Sequence, residues 1–260
     1  MAGENVPVNG TVILDLDGVV YIGDTAIAGA GAALRSLHDA GLQLLFATNN
    51  SWRTRSEGAS KIERLTGYPA SPEQFISSSS AAGGMLRPND GPVLFLGGPG
   101  IAEAIGECGL AVTEDPLTAR SVIVGVDFGV DYAKLTAAMR AVGNGARFIG
   151  TNHDATFPTS DGLLPGAGAI VAAVSTAAGQ EPELAGKPFE PMRARLRSML
   201  GDGPVWMVGD RPDTDLAMAE IEGWRSVLVL TGVVSDPAEV CPAPDAVLAS
   251  IADLPDHVGI

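Results

Sequence analysis

Asp15 and Asp17, one residue apart and followed at once by Gly18, end the apolar run Thr11-Val12-Ile13-Leu14. Residues of this type build a buried strand, and carboxylates at its tip are costly unless something neutralises them. In a strand, residues two apart point to one side. Asp15 and Asp17 are therefore expected to face one cavity while Leu16 packs the other way. Such a pair can hold a metal ion while one member attacks an electrophile. A surface turn that contains Asp-x-Asp-Gly is the plainer alternative for the tetrapeptide alone.

Three further segments repeat the pattern of a strand running into polar residues. Leu44-Leu45-Phe46-Ala47 ends in Thr48-Asn49-Asn50-Ser51, just before an expected helix start. Backbone N–H groups there, with the Thr48 hydroxyl, suit a phosphate or similar anion; Asn and Ser also make ordinary helix caps. Gly186-Lys187-Pro188 presents a lysine between two helix breakers. Its charge could neutralise a transferring phosphoryl group, or simply lie solvated on a loop. Val205-Trp206-Met207-Val208-Gly209 leads to Asp210, with Asp213 and Asp215 close behind. Oxygen donors of this kind suit Mg²⁺, whereas an acid in the first turn of a helix, as Asp213 would be, is also favoured by the helix dipole.

These residues need a scaffold that brings strand ends together. The chain alternates expected strands (Thr11–Asp15, Leu42–Thr48, Val93–Leu96, Ser121–Val126, Arg147–Ile149, Val205–Val208, Val227–Leu230) with expected helices. The helices are Gly29–Ala40, Arg53–Thr66, Gly100–Glu107, Tyr132–Val142, Gly166–Ala178, Glu190–Leu200 and Asp213–Glu222. That alternation is the signature of an α/β fold with a mostly parallel sheet, which binds ligands at its carboxyl strand ends. A boundary is expected near Ser77–Ser80 and a return near Gln180–Glu183. This gives a discontinuous core domain, 1–79 and 182–260, with an inserted α/β domain, 80–181.

The 260 residues are 46% hydrophobic and 18% charged, with 33 glycines and 18 prolines, a globular composition rich in tight turns. The net charge of −15 argues against nucleic acid, whose backbone requires clustered Lys and Arg. It also repels anions from any phosphate-handling site, a difficulty that a bound divalent cation would solve locally. No apolar run approaches the ~20 residues that cross a bilayer. Met1–Asn5 has neither a basic nor an apolar region, so no signal peptide is expected. Cys108 and Cys241 are too few for a disulfide framework. A soluble cytoplasmic enzyme is the expectation.

Taken in order, Asp-Leu-Asp-Gly-Val-Val-Tyr, Thr-Asn-Asn-Ser, Gly-Lys-Pro and Gly-Asp-Arg-Pro-Asp-Thr-Asp resemble the haloacid dehalogenase superfamily. The wording is similar to the branch of 4-nitrophenyl, phosphoglycolate, glycerol-phosphate, pyridoxal and NagD-type phosphatases. Thr151-Asn152-His153-Asp154, Pro158 and Gly162-Leu163-Leu164-Pro165-Gly166-Ala167-Gly168 resemble the stretch with which that branch's α/β cap returns to the core. The resemblance runs from about Thr11 to Val233 and implies a Rossmann-like core bearing an inserted cap.

It implies Asp15 as the nucleophile that forms an aspartyl-phosphate, and Asp17 as general acid and base. Mg²⁺ would lie among the Asp15 carboxylate, the Asp17 backbone carbonyl and Asp210. Thr48, Asn49 and Lys187 would hold the phosphoryl oxygens, Asn50 would support their loop, and Asp215 would orient Lys187 or metal-bound water. Asp154 and Phe157, within Asp154–Thr159, are the expected substrate contacts of the cap. The implied partner is a small-molecule phosphate ester, with no nucleic acid and no membrane, and the caps of this branch suggest a homodimer. A phosphomutase with the same intermediate and a binding protein without catalysis are the rival readings.

Two departures stand out. Trp52 follows Thr-Asn-Asn-Ser where a small residue is expected, which would narrow the entrance. The run Leu-Ala-Met-Ala-Glu-Ile-Glu-Gly-Trp after Asp215 is bulkier and more acidic than in relatives. Leu96-Gly97-Gly98-Pro99-Gly100 looks like a phosphate loop without the Gly-Lys-Ser/Thr ending, so a strand–helix turn is the expectation there. His153 is expected to lie outside the chemistry.

Overall fold

The computed structural model describes residues 9–159 and 162–260, so the leaderless reading of Met1–Asn5 falls outside the described residues. Its elements in chain order begin β1 (Thr11–Leu14), β2 (Tyr21–Ile22), β3 (Thr25–Ala26), α1 (Ala30–Asp39), β4 (Gln43–Thr48), α2 (Arg55–Thr66), β5 (Phe75–Ser77) and α3 (Ser78–Gly84). There follow β6 (Val93–Leu96), α4 (Pro99–Glu107), β7 (Ser121–Val124), α5 (Tyr132–Gly143), β8 (Arg147–Gly150), β9 (Thr156–Thr159), β10 (Gly162–Pro165) and α6 (Ala167–Ala178). The chain closes with β11 (Glu183–Leu184), α7 (Glu190–Arg197), β12 (Val205–Gly209), α8 (Ala217–Glu222), β13 (Arg225–Val229), β14 (Ala246–Leu248) and α9 (Leu254–Val258). This is the α/β architecture expected.

Two compact units divide it. The first comprises residues through Ala47, Gly58–Phe75 and Leu196–Ile260; the second comprises Thr48–Glu57 and Ile76–Arg195. In the first, a six-stranded sheet runs β14-β13-β12-β1-β4-β5. β1 lies parallel between β12 and β4, with Leu14 opposite Val208 on one side and Phe46 on the other. Every residue of β1 is buried, as a continuous apolar run in a parallel sheet covered on both faces must be. α1 buries Ala30, Ala33, Leu34 and Leu37, the i, i+3, i+4, i+7 stripe of an amphipathic helix. Leu34 and Leu37 join Val12, Leu14, Phe46, Val208 and Val227 in one core.

In the second unit, β11-β8-β7-β6 form a parallel four-stranded sheet. Its core joins Val122, Val124 and Phe148 to Ala138, Val142 and Val171 of α5 and α6. At its rim Arg147 donates to Glu183 through two nitrogens at 2.7 Å, to Asp90 at 2.9 Å and to the Met85 carbonyl at 2.7 Å. The guanidinium holds the Glu183 carboxyl below its ordinary range, chiefly through these hydrogen bonds, and is itself pushed further from titration.

Three local details differ from the sequence-based expectation. β1 stops at Leu14; Asp15 still bonds to Val208 through its N–H, but the chain bends at Leu16 and turns from Gly18, so Asp15 and Asp17 do not share a strand. The serine run near the expected boundary is the buried start of α3, where the Ser77 hydroxyl accepts from the Ser80 N–H at 3.2 Å. The helix expected from Asp213 opens with a π-helical turn, Pro212–Leu216, before α8. Among the described residues no helix is long and apolar enough to cross a membrane.

Candidate active-site residues

At the carboxyl ends of β1 and β12, in the first unit, three carboxylates converge. Oxygens of Asp15, Asp210 and Asp215 all lie within 4.8 Å of one another, and the residues are only 6%, 1% and 0% exposed. The Asp15 N–H continues the sheet by donating to the Val208 carbonyl at 2.9 Å, which ties the two strand ends together. Asp210 Oδ2 accepts from the Val233 N–H at 2.7 Å. A Cβ on Gly232 would come within 1.9 Å of that same oxygen, and one on Gly18, whose φ is +90°, within 2.6 Å. Only glycine fits either place. The Thr231 hydroxyl donates to the Gly18 carbonyl at 2.5 Å, joining the two glycine segments around the carboxylate.

Asp215 returns to the cluster because the π turn brings it back beneath its own start: the Arg211 N–H donates to Asp215 Oδ2 at 3.2 Å. Single π turns recur at functional sites. Asp213, by contrast, points to solvent and pairs with Arg211 at 3.2 Å, in keeping with an acid at a helix start. Asp17 is half-buried, and its carboxylate is not one of the three that meet. Three like charges in a buried setting repel strongly. A set of oxygen donors without imidazole or thiolate fits a hard divalent cation rather than zinc.

The second unit holds the other sequence-predicted group. Lys187 is 2% exposed, so it is no solvated loop lysine. Asn49 fastens its backbone: Asn49 Oδ1 accepts from the Lys187 N–H at 2.7 Å, and Nδ2 donates to the Lys187 carbonyl at 3.2 Å. The same Nδ2 reaches both oxygens of Asp154 at 3.1 Å. Both ends of the Asn49 amide are thus engaged within the protein. The Thr48 hydroxyl accepts from the Asn50 N–H at 3.1 Å, and Asn50 Oδ1 accepts from the Trp52 N–H at 3.0 Å, so both side chains shape the turn.

Two residues that sequence reasoning missed complete this group. Ser78 Oγ and Asn152 Nδ2 both donate to the Asn49 carbonyl at 2.6 Å. The signal was present in the serine run and in Thr-Asn-His-Asp, polar residues too buried for a linker. Thr231 and Gly232 were missed likewise, although Val227–Leu230 running into Thr-Gly repeats the pattern of the other strand ends. His153 is exposed, with its ring edge-on to that of Phe189 at 5.2 Å.

The glycine loop after β6 proves to be a packing device. A Cβ on Gly98 would strike the Trp52 indole at 2.5 Å, and one on Gly100 the Arg53 carbonyl at 2.3 Å. The Gly100 N–H donates to the Trp52 carbonyl at 2.9 Å. The indole continues into an aromatic row: the ring centroids of Trp52 and Phe128 are 4.7 Å apart, and those of Phe128 and Phe157 are 6.1 Å apart.

Comparison with known proteins agrees with this geometry. The haloacid dehalogenase-like hydrolase family matches residues 12–111, and a second hydrolase model of the same group matches residues 184–254. An acid sugar phosphatase of Staphylococcus haemolyticus is 37% identical over 228 residues, 86% of each chain. The p-nitrophenyl phosphatase of Archaeoglobus fulgidus superposes with a TM-score of 0.87 at 30% identity, covering 96% of this chain and all of that one. A glycerol phosphate phosphatase of Mycobacterium tuberculosis, solved with magnesium, gives 0.83 at 32%, covering 94% of this chain and 75% of its own. Similarity of this extent, spanning both units and every strand end described above, makes the chain a member of the haloacid dehalogenase-like hydrolases.

Proposed function

We propose that the chain is a Mg²⁺-dependent phosphomonoesterase acting on a small phosphorylated metabolite. The observation that carries this is the convergence of buried Asp15, Asp210 and Asp215 at the ends of two neighbouring strands. Asp15, Asp210 and the backbone carbonyl of Asp17 would hold Mg²⁺, with Asp215 close by. When bound, the ion neutralises the carboxylates and the incoming phosphate, which the chain's net charge of −15 would otherwise repel.

The remaining work belongs to the protein. A carboxylate oxygen of Asp15 attacks phosphorus, and the bond to the leaving oxygen breaks. Asp17 gives that oxygen its proton, then takes one from the water that hydrolyses the aspartyl-phosphate, releasing inorganic phosphate and restoring Asp15. Thr48, the Asn49 backbone N–H and the Lys187 ammonium hold the phosphoryl oxygens, and Asn50 braces their turn. Positioning and charge neutralisation are most of what phosphoryl transfer requires. The inserted domain, 80–181, acts as a cap that excludes water and selects the leaving group, with Phe157 among its substrate contacts. Asp154 is a proposed substrate contact beside it, its carboxylate held in place by the Asn49 amide.

The cytoplasm is the compartment that two free, exposed cysteines suit. A homodimer is the proposed assembly, supported by Leu163 and Leu164, which leave 70% and 42% of their surface open on β10. The test of the function is hydrolysis of 4-nitrophenyl phosphate with and without Mg²⁺, in the native protein and in Asp15→Asn. Turnover that requires Mg²⁺ and disappears in the variant supports the reading. Turnover indifferent to Asp15 removes the nucleophile assignment, and none at all returns the mutase and binding-protein alternatives.

A further inference from the structure

Lys61 lies on α2 of the first unit, 8% exposed, and the chemistry above gives it no part. A charge taken out of water is costly, and a methionine of similar length would fill the space without that cost. The ammonium stands over the Tyr21 ring, 4.0 Å from its centroid. Tyr21 is itself 4% exposed and belongs to the core of the first unit. A cation over an aromatic face is attracted by the ring's quadrupole, the more so where water is excluded. The Asp24 carboxylate adds less, being exposed; it lies 4.0 Å from the lysine and 3.3 Å from Arg64.

What Tyr21 holds gives this contact its meaning. Its N–H donates to the Leu16 carbonyl at 3.1 Å, and its carbonyl accepts from the Gly18 N–H at 2.8 Å. These two bonds flank Asp17 on either side, and Asp17 and Tyr21 pair as an isolated β-bridge. The Val20 N–H donates to the same Leu16 carbonyl at 2.9 Å. Asp17 lies beyond the end of β1, so this loop, closed on the Tyr21 main chain, sets its place. The loop can shift only as far as Tyr21 moves.

We infer that Lys61 is a positioning residue for the proton transfer: clamped by its ring, Tyr21 holds the Asp17 carboxyl at the leaving oxygen. The inference rests on the phosphatase reading and adds to it a residue from a helix that carries none of the reacting groups. As the bond from phosphorus to the ester oxygen breaks, that oxygen keeps the bonding electrons and takes the Asp17 proton. A basic leaving oxygen needs that proton most, and one that already stabilises its charge needs it least. Misplacing a reacting group by about 1 Å can cost 10²-fold. A loosened ring should therefore show first in esters with basic leaving groups.

The test measures kcat/KM, which ends at the first irreversible step, for phenyl and 4-nitrophenyl phosphate with Mg²⁺. The two esters are close in shape, and phenolate is the more basic leaving group. Lys61→Met should lower kcat/KM for phenyl phosphate about tenfold more than for 4-nitrophenyl phosphate. Lys61→Arg, which keeps a cation over the ring, should restore the native ratio. Tyr21→Leu should shift the ratio as Lys61→Met does, and combining the two should shift it no further. Melting curves check that each variant folds, and Lys61→Gln takes the place of Lys61→Met if the latter does not. Equal losses for both esters, or none for either, would overturn the inference and leave the phosphatase reading standing. Additive shifts in the double variant would do the same. Turnover of neither ester by the native protein would overturn both.

Discussion

The acid cluster of the first unit and the Asn49–Lys187 group of the second solve opposite problems. Around Asp210 the protein gathers like charges and makes room for them: Gly18 and Gly232 are bare so that carboxylates can stand where a methyl group would collide. Around Asn49 it gathers complementary dipoles and leaves no room, each amide atom matched to a backbone or carboxylate partner. The first arrangement is poor for stability and suited to binding a cation. The second is good for stability and suited to holding a lysine still. The first region therefore gives up stability for binding, whereas the second serves both.

Substitutions can break that contrast. The largest effect is expected from Asp15→Asn, which should lower kcat by at least about 10⁴-fold, as loss of a nucleophile does, with little change in melting temperature. Steady-state assays beside a thermal scan measure both. Next, Asn49→Ala should reduce kcat/KM by about 10²-fold through a displaced lysine. It should also destabilise by roughly 1–3 kcal/mol, because the Lys187 N–H and carbonyl lose buried partners. At about 2–4 °C per kcal/mol, a melting curve resolves this. Unchanged stability would show that the amide is not the brace described.

Asp210→Asn sharpens the comparison from the other side. Saturating Mg²⁺ should raise the melting temperature of the native protein, since a ligand at a hundredfold its Kd adds about 2.7 kcal/mol. The variant should lose that response while its metal-free melting temperature stays close to native. A response that survives would place the ion elsewhere. The smallest effect is expected at the rim of the second unit. Glu183 has its carboxyl lowered by Arg147, so its contribution is present above the ordinary glutamate range and fades as pH falls through the lowered value. Glu183→Gln should cost a degree or two of melting temperature near neutral pH, the scale of an exposed ion pair, with the difference vanishing in acid and activity unaffected throughout.

Much of this was legible in the sequence because it depends on strand ends. Thr11–Leu14 into Asp15, Leu44–Ala47 into Thr48 and Val205–Gly209 into Asp210 each read as buried strand followed by polar residues, and each strand is there. What stayed hidden depends on turns and on partners distant in the chain. The π turn that carries Asp215 back has no periodicity to read, since Pro212–Leu216 looks like any helix start. The breakdown of β1 after Leu14 was masked by Leu16, which keeps the alternation going by one residue. Gly97-Gly98-Pro99-Gly100 was legible as a strand–helix turn but not what packs on it, because a glycine reports only that something comes close; here that something is the Trp52 indole, 46 positions away in the sequence. The engagement of the Asn49 amide was equally unreadable, its partners being 105 and 138 residues distant.

That indole has a consequence for how the chain can change. A Cβ at position 98 would meet the indole at 2.5 Å and the backbone carbonyl of the same Trp52 at 2.6 Å. Shrinking residue 52 would remove the first obstacle and leave the second, so the main chain itself demands glycine at 98 whatever side chain stands at 52. The two positions are therefore unequal partners: the loop is locked, while the tryptophan can be exchanged without asking anything of it, and the aromatic row can lose an end with the turn beneath it unaltered.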